Sequence, residues 1–176
     1  MPSTPESVAA DLHVRAATRA DLPGIVAMLA DDQLGATREN ASLPLDQPYL
    51  AAFDTIDADP HNELLVVVEA HAGDGGDASD EAALMGVMQL TFIPSISHHG
   101  GWRTLIEGVR VQRQARGRGI GAFMIRWAIE RARDRGCMMV QLTSNKSRED
   151  ARRFYERLGF EATHEGFKLA LSGDPR

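Results

Sequence analysis

The segment with the clearest chemical potential is a short loop rich in glycine and arginine, Arg116-Gly117-Arg118-Gly119-Ile120-Gly121. Glycines let the backbone approach a ligand closely, with its N–H groups pointing outward. The helix expected to follow adds unsatisfied first-turn donors and the positive end of its dipole. Arg113 lies just before the loop, and arginine binds phosphate through two donors at once. This combination is typical of a phosphate-binding site.

Three interpretations of this loop compete. A purely structural turn would need one glycine rather than three. A dinucleotide site is suggested because Gly117 to Ala122 fits G-x-G-x-x-A, but the next strand ends Gln141-Leu142-Thr143 without an acid to hold a ribose hydroxyl, and too few residues follow to complete a doubly wound sheet. A Walker loop is excluded because G-K-[ST] is missing. The third interpretation is a loop for the pyrophosphate of coenzyme A.

Two stretches resemble signatures of the GNAT superfamily of acetyl-CoA-dependent N-acetyltransferases. Arg116, Gly119 and Gly121 match its [QR]-x-x-G-x-[GA] motif residue by residue, and the run from Tyr155 to Phe160 is similar to its Y-x-x-x-G-F motif. The strand before the loop resembles the family's fourth strand, and the order of elements fits from about residue 13 to residue 171. One departure concerns Asn145, which lies ten residues before the tyrosine, whereas many members place this asparagine seven residues before it.

The resemblance implies a fold and a cofactor site. The fourth and fifth strands would splay apart, and the pantetheine arm of acetyl-CoA would pair with the backbone of the fourth strand like an added strand. Backbone N–H groups of the glycine loop would hold the pyrophosphate. The expected cofactor contacts are Val109, Val111, Arg116, Gly117, Arg118, Gly119, Gly121, Ala122 and, from a longer loop, Asn145.

Acetyl transfer to an amine needs a base, an oxyanion donor and an acid. The amine must lose its proton, the carbonyl oxygen becomes negative, and the departing thiolate benefits from a proton. By resemblance, Glu107 is the candidate base, Tyr155 the candidate acid and the backbone N–H of Val111 the oxyanion donor. Glu107 could equally be an ordinary strand residue facing solvent, and Tyr155 a packed core residue.

Two other reactive groups are weaker candidates. Cys137 begins an apolar strand without a histidine near it in sequence, and a small core residue is the better interpretation. His98 and His99 are adjacent but have no carboxylate or cysteine partner, which makes a poor metal site. We therefore expect no metal, and none is needed for this chemistry.

The composition is that of an ordinary globular domain. The chain has 176 residues, 43% hydrophobic and 25% charged, with a net charge of −6. The acidic balance argues against a general nucleic-acid binder, and no apolar run approaches the roughly 18–20 residues that span a membrane. A single cysteine and no recognisable secretory signal predict a cytoplasmic protein. The expected partners are CoA and a small amine, and a homodimer is left open.

Hydrophobic periodicity predicts a single α/β domain over residues 12–172, preceded by a disordered tail over residues 1–11. We expect a mixed, mostly antiparallel sheet with splayed central strands, flanked by about four helices. The run from Cys137 to Thr143 is apolar throughout and predicts a strand buried on both faces. The predicted strands are 13–17, 63–70, 84–92, 102–111, 137–143 and a terminal hairpin over 160–171; the predicted helices are a first one with Leu22 to Leu29 inward, then 48–58, 119–135 and one opened by Ser147.

The acceptor amine is expected to bind where three segments of the chain meet. The resemblance places it among residues 31–49, 93–102 and 163–167. Four acids in the first of these regions favour a small cationic amine, although a solvated polar loop explains them as well: Asp31, Asp32, Glu39 and Asp46. A protein N-terminus or lysine as acceptor, and a non-catalytic acyl-CoA-binding module, stay open as alternatives.

Overall fold

The computed structural model describes residues 12–31, 35–69, 83–169 and 171. Five strands form one sheet in the order β1-β2-β3-β4-β5. The first three pairings are antiparallel and the pairing of β4 with β5 is parallel, which confirms the mixed, mostly antiparallel sheet. The strands are β1 Leu12–Ala16, β2 Asn62–Glu69, β3 Leu84–Pro94, β4 Trp102–Val111 and β5 Cys137–Leu142.

Four helices of nine or more residues flank the sheet in the described part of the chain. They are α1 Leu22–Ala30, α2 Gln47–Ala58, α3 Ile120–Asp134 and α4 Glu149–Arg157. The approach to α1 is fixed by Asp21, which is almost fully buried. Its carboxylate accepts hydrogen bonds from the Thr18 N–H at 2.7 Å and from both terminal nitrogens of Arg15, at 2.7 and 2.9 Å. These bonds satisfy a charge that would otherwise be costly to bury.

Two hydrophobic clusters cover the two faces of the sheet. On one face α3 buries Met124 and Ile125 against strand residues such as Met88 and Ile106. On the other face α1 and α2 pack against a second set: Leu22, Ile25, Met28, Phe53, Val66, Val68 and Val87. Alternate residues of β2 enter opposite clusters, as the period of two in a strand requires.

The terminal hairpin predicted over residues 160–171 is wrong. Residues 160–169 form no strand in the structure. The alternation of Phe167, Leu169 and Leu171 is a strand pattern, but all three side chains are highly exposed. Alternation creates a strand only where a neighbouring edge supplies backbone partners.

The expectation that β5 is buried on both faces is also wrong. Within the described residues β5 pairs with β4 alone, so it lies at the edge of the sheet. Met138 and Met139 are 55% and 40% exposed. The predicted tail over residues 1–11 lies outside the described residues. Among those described, no helix is long and apolar enough to cross a membrane.

Candidate active site

A β-bulge in β4 sets the direction of the side chains at the site. Glu107 lies opposite Gln89 and Arg110 lies opposite Val87, so Gly108 and Val109 together face a single residue of β3. Gly108 has φ 61, a left-handed conformation that glycine adopts without strain. The bulge reverses the alternation of faces along β4, and both Val109 and Val111 pack against the α3 cluster.

Beyond the bulge β4 parts from β5. The parallel pairing runs from Trp102 opposite Cys137 to Ile106 opposite Leu142, where β5 ends. β4 continues to Val111, so the segment from Glu107 to Val111 has no partner on β5. This confirms the splayed strands. The edge of β4 exposed there carries backbone groups that an extended ligand can pair with.

The glycine loop follows β4 directly and is open to solvent. Gly117 and Gly119 have φ 80 and 81, and a Cβ placed on either would meet no atom within 4 Å. These glycines are therefore required by backbone conformation, and the space above them is free. Gly119 is the N-cap of α3, so the unsatisfied N–H groups of the first helical turn open onto this space. Gly121 differs, because its Cβ would approach the Phe154 ring to 3.4 Å.

The arginines of the loop are bound to acids from other parts of the fold. Asp31, just after α1, forms ion pairs with Arg113 and with Arg116, the latter at 3.0 Å. Arg118 pairs with Glu69 at the end of β2. The hydrogen bond from Arg113 holds the pKa of the Asp31 carboxyl below its ordinary value. No local sequence pattern indicates these pairs, because their members are separated by many residues.

Tyr155 lies half-buried on α4 between two rings. Its ring contacts Phe154 and Phe160 edge to face, with centroids 5.1 and 5.8 Å away. Burial raises the pKa of the phenol, while the positive charges of Arg148 and Arg110 act in the opposite direction and only partly offset it. Tyr155 therefore keeps its proton at neutral pH. This ring packing is compatible with both interpretations of the residue, as acid and as core.

Asn145 has a local structural role. Its side-chain oxygen accepts hydrogen bonds from the N–H and the hydroxyl of Ser147, at 2.9 and 2.8 Å. The helix that follows begins at Glu149, and its N-cap is Arg148 rather than Ser147. The contact between Asn145 and acetyl-CoA stays a prediction.

The other reactive groups lie at the opposite end of β4. Cys137 pairs with Trp102, five positions from Glu107, which at about 3.3 Å per residue is about 16 Å along the strand. His98 and His99 precede the start of β4 and have left-handed backbone, with φ 52 and 56. Among the described residues no group of three or more metal-binding side chains is present.

Glu107, Val109 and Val111 thus all lie along the opening, the gap between β4 and the end of β5. The glycine loop follows directly after β4. The charge of Arg110 acts on the phenol of Tyr155. Glu107 is exposed. Their roles in chemistry and binding stay predictions. Sequence reasoning missed Arg110 and the pairing of Asp31. A bulge glycine at position 108 was the available signal for Arg110, because a bulge changes which residues share a face with Glu107.

Comparison with known proteins agrees with this geometry. Residues 29–160 match the family model described as Acetyltransferase (GNAT) family. A transcriptional regulator from Bacillus halodurans C-125 has a solved structure with 46% identity and TM-score 0.82, over 91% of this chain and 99% of that one. A putative acetyltransferase from Agrobacterium tumefaciens C58 is 25% identical with TM-score 0.71, over 90% of this chain and 99% of that one.

A curated relative is the aminoalkylphosphonate N-acetyltransferase of Salmonella typhimurium, 39% identical over 74 residues, which are 42% of this chain and 48% of that protein. The match therefore spans about half of the relative's length. The family model covers most of the present chain, including β4, the glycine loop and the motif around Tyr155. The chain belongs to the GNAT family of acetyltransferases.

Proposed function

We propose that this chain transfers an acetyl group from acetyl-CoA to the primary amine of a small molecule. The observation that carries the proposal is the opening beside β4, where the edge that pairs with β5 continues past the end of β5 without a partner strand and leads directly into an exposed glycine loop. One feature fits the extended pantetheine arm and the other fits the pyrophosphate. The family membership of the chain supports the same reaction.

The residues present fit acetyl-CoA along its length. Backbone groups of Val109 and Val111 would pair with the amides of the pantetheine arm. N–H groups between Arg116 and Ala122, including those of Gly117, Gly119 and Gly121, would hold the pyrophosphate, with Arg116 and Arg118 adding charge. Asn145 would contact the cofactor from the loop before α4.

The chemistry is direct transfer in a ternary complex. The amine nitrogen attacks the thioester carbon, its proton passes to Glu107, the C–N bond forms and the C–S bond breaks. Tyr155, which keeps its proton at neutral pH, donates it to the departing thiolate. The backbone N–H of Val111 stabilises the negative oxygen. No metal is required in this scheme.

The acids near the expected acceptor site have partners of their own. The expectation of a cationic amine came from four acids. Asp31 is paired with two arginines, Glu39 accepts a hydrogen bond from Tyr49, and Asp46 accepts one from Asn40; Asp32 lies outside the described residues. These partners reduce the support for a purely cationic acceptor. The name of the Salmonella relative supports acetylation of an amine.

The test is release of free thiol from acetyl-CoA across a panel of primary amines, with mass spectrometry of the products. We expect release that depends on an amine and produces one N-acetylated product per thiol. Gly119→Val should abolish release, and Arg126→Met, on the exposed face of α3, should not. A protein that binds acetyl-CoA but transfers to no amine, peptide N-terminus or lysine would instead be a binding module.

A further inference from the structure

The bulge in β4 places Glu107 and Arg110 side by side on one face of the sheet. Arg110 lies opposite Val87 and Glu107 lies opposite Gln89. Val87 and Gln89 are two residues apart on β3, and such residues point to the same face. Val87 is buried in the cluster formed by α1 and α2. Glu107 and Arg110 therefore both belong to the face covered by α1 and α2, away from α3.

The spacing of the two side chains suits a small molecule. Because of the bulge, Glu107 and Arg110 are spaced like residues two positions apart in a regular strand. The distance between two such residues along the strand is about 7 Å. Glu107 is exposed and Arg110 is half-buried. A terminal nitrogen of Arg110 donates to the carbonyl of Val109 at 2.9 Å, and this bond holds the guanidinium close to its own strand, beside the opening.

A second cation lies at the start of α4. Arg148 is the N-cap of α4, the helix that carries Tyr155. Arg148 and Arg110 are both close enough to Tyr155 to counter the effect of burial on its phenol. Two positive charges from different elements therefore act on Tyr155, the candidate acid. A guanidinium can exchange a present partner for a carboxylate or phosphonate that offers it two oxygens.

We infer that Arg110, together with Arg148, forms a subsite for an anionic group on the acceptor, so that the substrate class is a small zwitterionic amine. This inference rests on the proposed function. The amine would lie beside Glu107, and a carboxylate or phosphonate a few bonds away would lie against Arg110. Guanidinium binds either anion through two parallel hydrogen bonds, which makes it a selective partner for such groups.

The experiment compares matched acceptors. Values of kcat/KM are measured for β-alanine and 2-aminoethylphosphonate against propylamine and putrescine, with acetyl-CoA saturating. We expect at least one anionic amine to exceed propylamine by about tenfold or more, the range that one charge-assisted interaction supplies. The carboxylate and phosphonate arms identify which anion fits. Equal values for the anionic and uncharged amines, or a preference for putrescine, would overturn the inference.

Substitutions of Arg110 test whether this residue causes the preference for anionic amines. Arg110→Met should reduce the ratio of anionic to uncharged amine by about tenfold, mainly through KM for the anionic amine, and Arg110→Lys should restore part of it. Arg126→Met, which removes an exposed arginine from α3, should leave the ratio unchanged. The affinity of each variant for acetyl-CoA reports whether it is folded. If Arg110→Met and Arg110→Lys both keep the wild-type ratio, the subsite is elsewhere and the inference fails. If the protein binds acetyl-CoA but acetylates none of the amines, the proposed function is overturned as well.

Discussion

Asp31 holds Arg116 through two separate acceptors, its carboxylate at 3.0 Å and its main-chain carbonyl at 3.2 Å. Arg116 also donates through Nε to the carbonyl of Val111 at 3.2 Å. One arginine thus links the end of α1, the end of β4 and the start of the glycine loop. Arg113 is bound to the same carboxylate. The two arginines are therefore oriented at the mouth of the expected pyrophosphate site.

Asp31→Asn should weaken acetyl-CoA binding, because freed arginine side chains must lose rotational freedom when they bind phosphate. The pair is exposed, so we expect a modest rise in Kd of about two- to fivefold. Titration calorimetry measures the Kd of acetyl-CoA. S-acetylpantetheine lacks the pyrophosphate, so its Kd should not change in Asp31→Asn. Asp54→Asn breaks an ion pair with Arg19 whose carboxylate is more exposed than that of Asp31, and it should have no effect. Unchanged or tighter acetyl-CoA binding in Asp31→Asn would show that the carboxylate does not orient the arginines for phosphate.

Gly119→Val should abolish acetyl-CoA binding in a folded protein. The valine must adopt left-handed backbone, at a cost of at least about 1–2 kcal/mol, and its branched side chain would fill the open space above the loop. Gly136→Val is the matched control, since Gly136 has φ 70 and no atom near its Cβ but ends α3 away from the loop. Both variants should lose a similar amount of thermal stability, and only Gly119→Val should lose affinity. Normal affinity in Gly119→Val would make the loop structural.

Glu107→Gln should lower kcat by about 10²–10⁴-fold, the usual contribution of a general base. The amide keeps the shape of the side chain and removes the proton acceptor, so the Kd of acetyl-CoA should hardly change. Glu130→Gln, on the exposed face of α3, controls for loss of a surface charge. Stopped-flow or steady-state thiol release is the measurement. A near-normal rate with an unchanged pH profile would mean that another group or water deprotonates the amine.

Tyr155→Phe should lower kcat by a milder factor of about 10–100, because a thiolate can leave unprotonated at some cost. Burial raises the pKa of this phenol above its ordinary value, and the protonated form is the one that donates. The group therefore stays active below that raised pKa and loses its proton only at higher pH. The ratio of wild-type to variant kcat should be constant between about pH 6 and 9. A ratio near one throughout this range would exclude Tyr155 as the acid, and a ratio that falls toward one as the pH rises would contradict the raised pKa.

The positions that carry local backbone requirements could be predicted from the sequence. Gly119 is needed where a loop turns into α3, and the strand before it and the amphipathic helix after it follow from periodicity. Relationships between distant elements could not be predicted. The pairing of Asp31 with Arg113 and Arg116 depends on how α1 and the loop meet in space. Likewise, the alternating side chains from Phe167 to Leu171 predict a strand, but their pattern contains no information about a pairing edge.

The measurement closest to the central claim is an initial-rate matrix in acetyl-CoA and amine, repeated with Cys137→Ala. The claim is that the acetyl group passes directly from the CoA sulfur to the amine nitrogen at the opening beside β4. Cys137 lies on β5 beside Trp102, at the far end of β4, so both proteins should give intersecting double-reciprocal lines and similar kcat. Parallel lines, with an acetyl group trapped on Cys137 after incubation with acetyl-CoA alone, would contradict direct transfer.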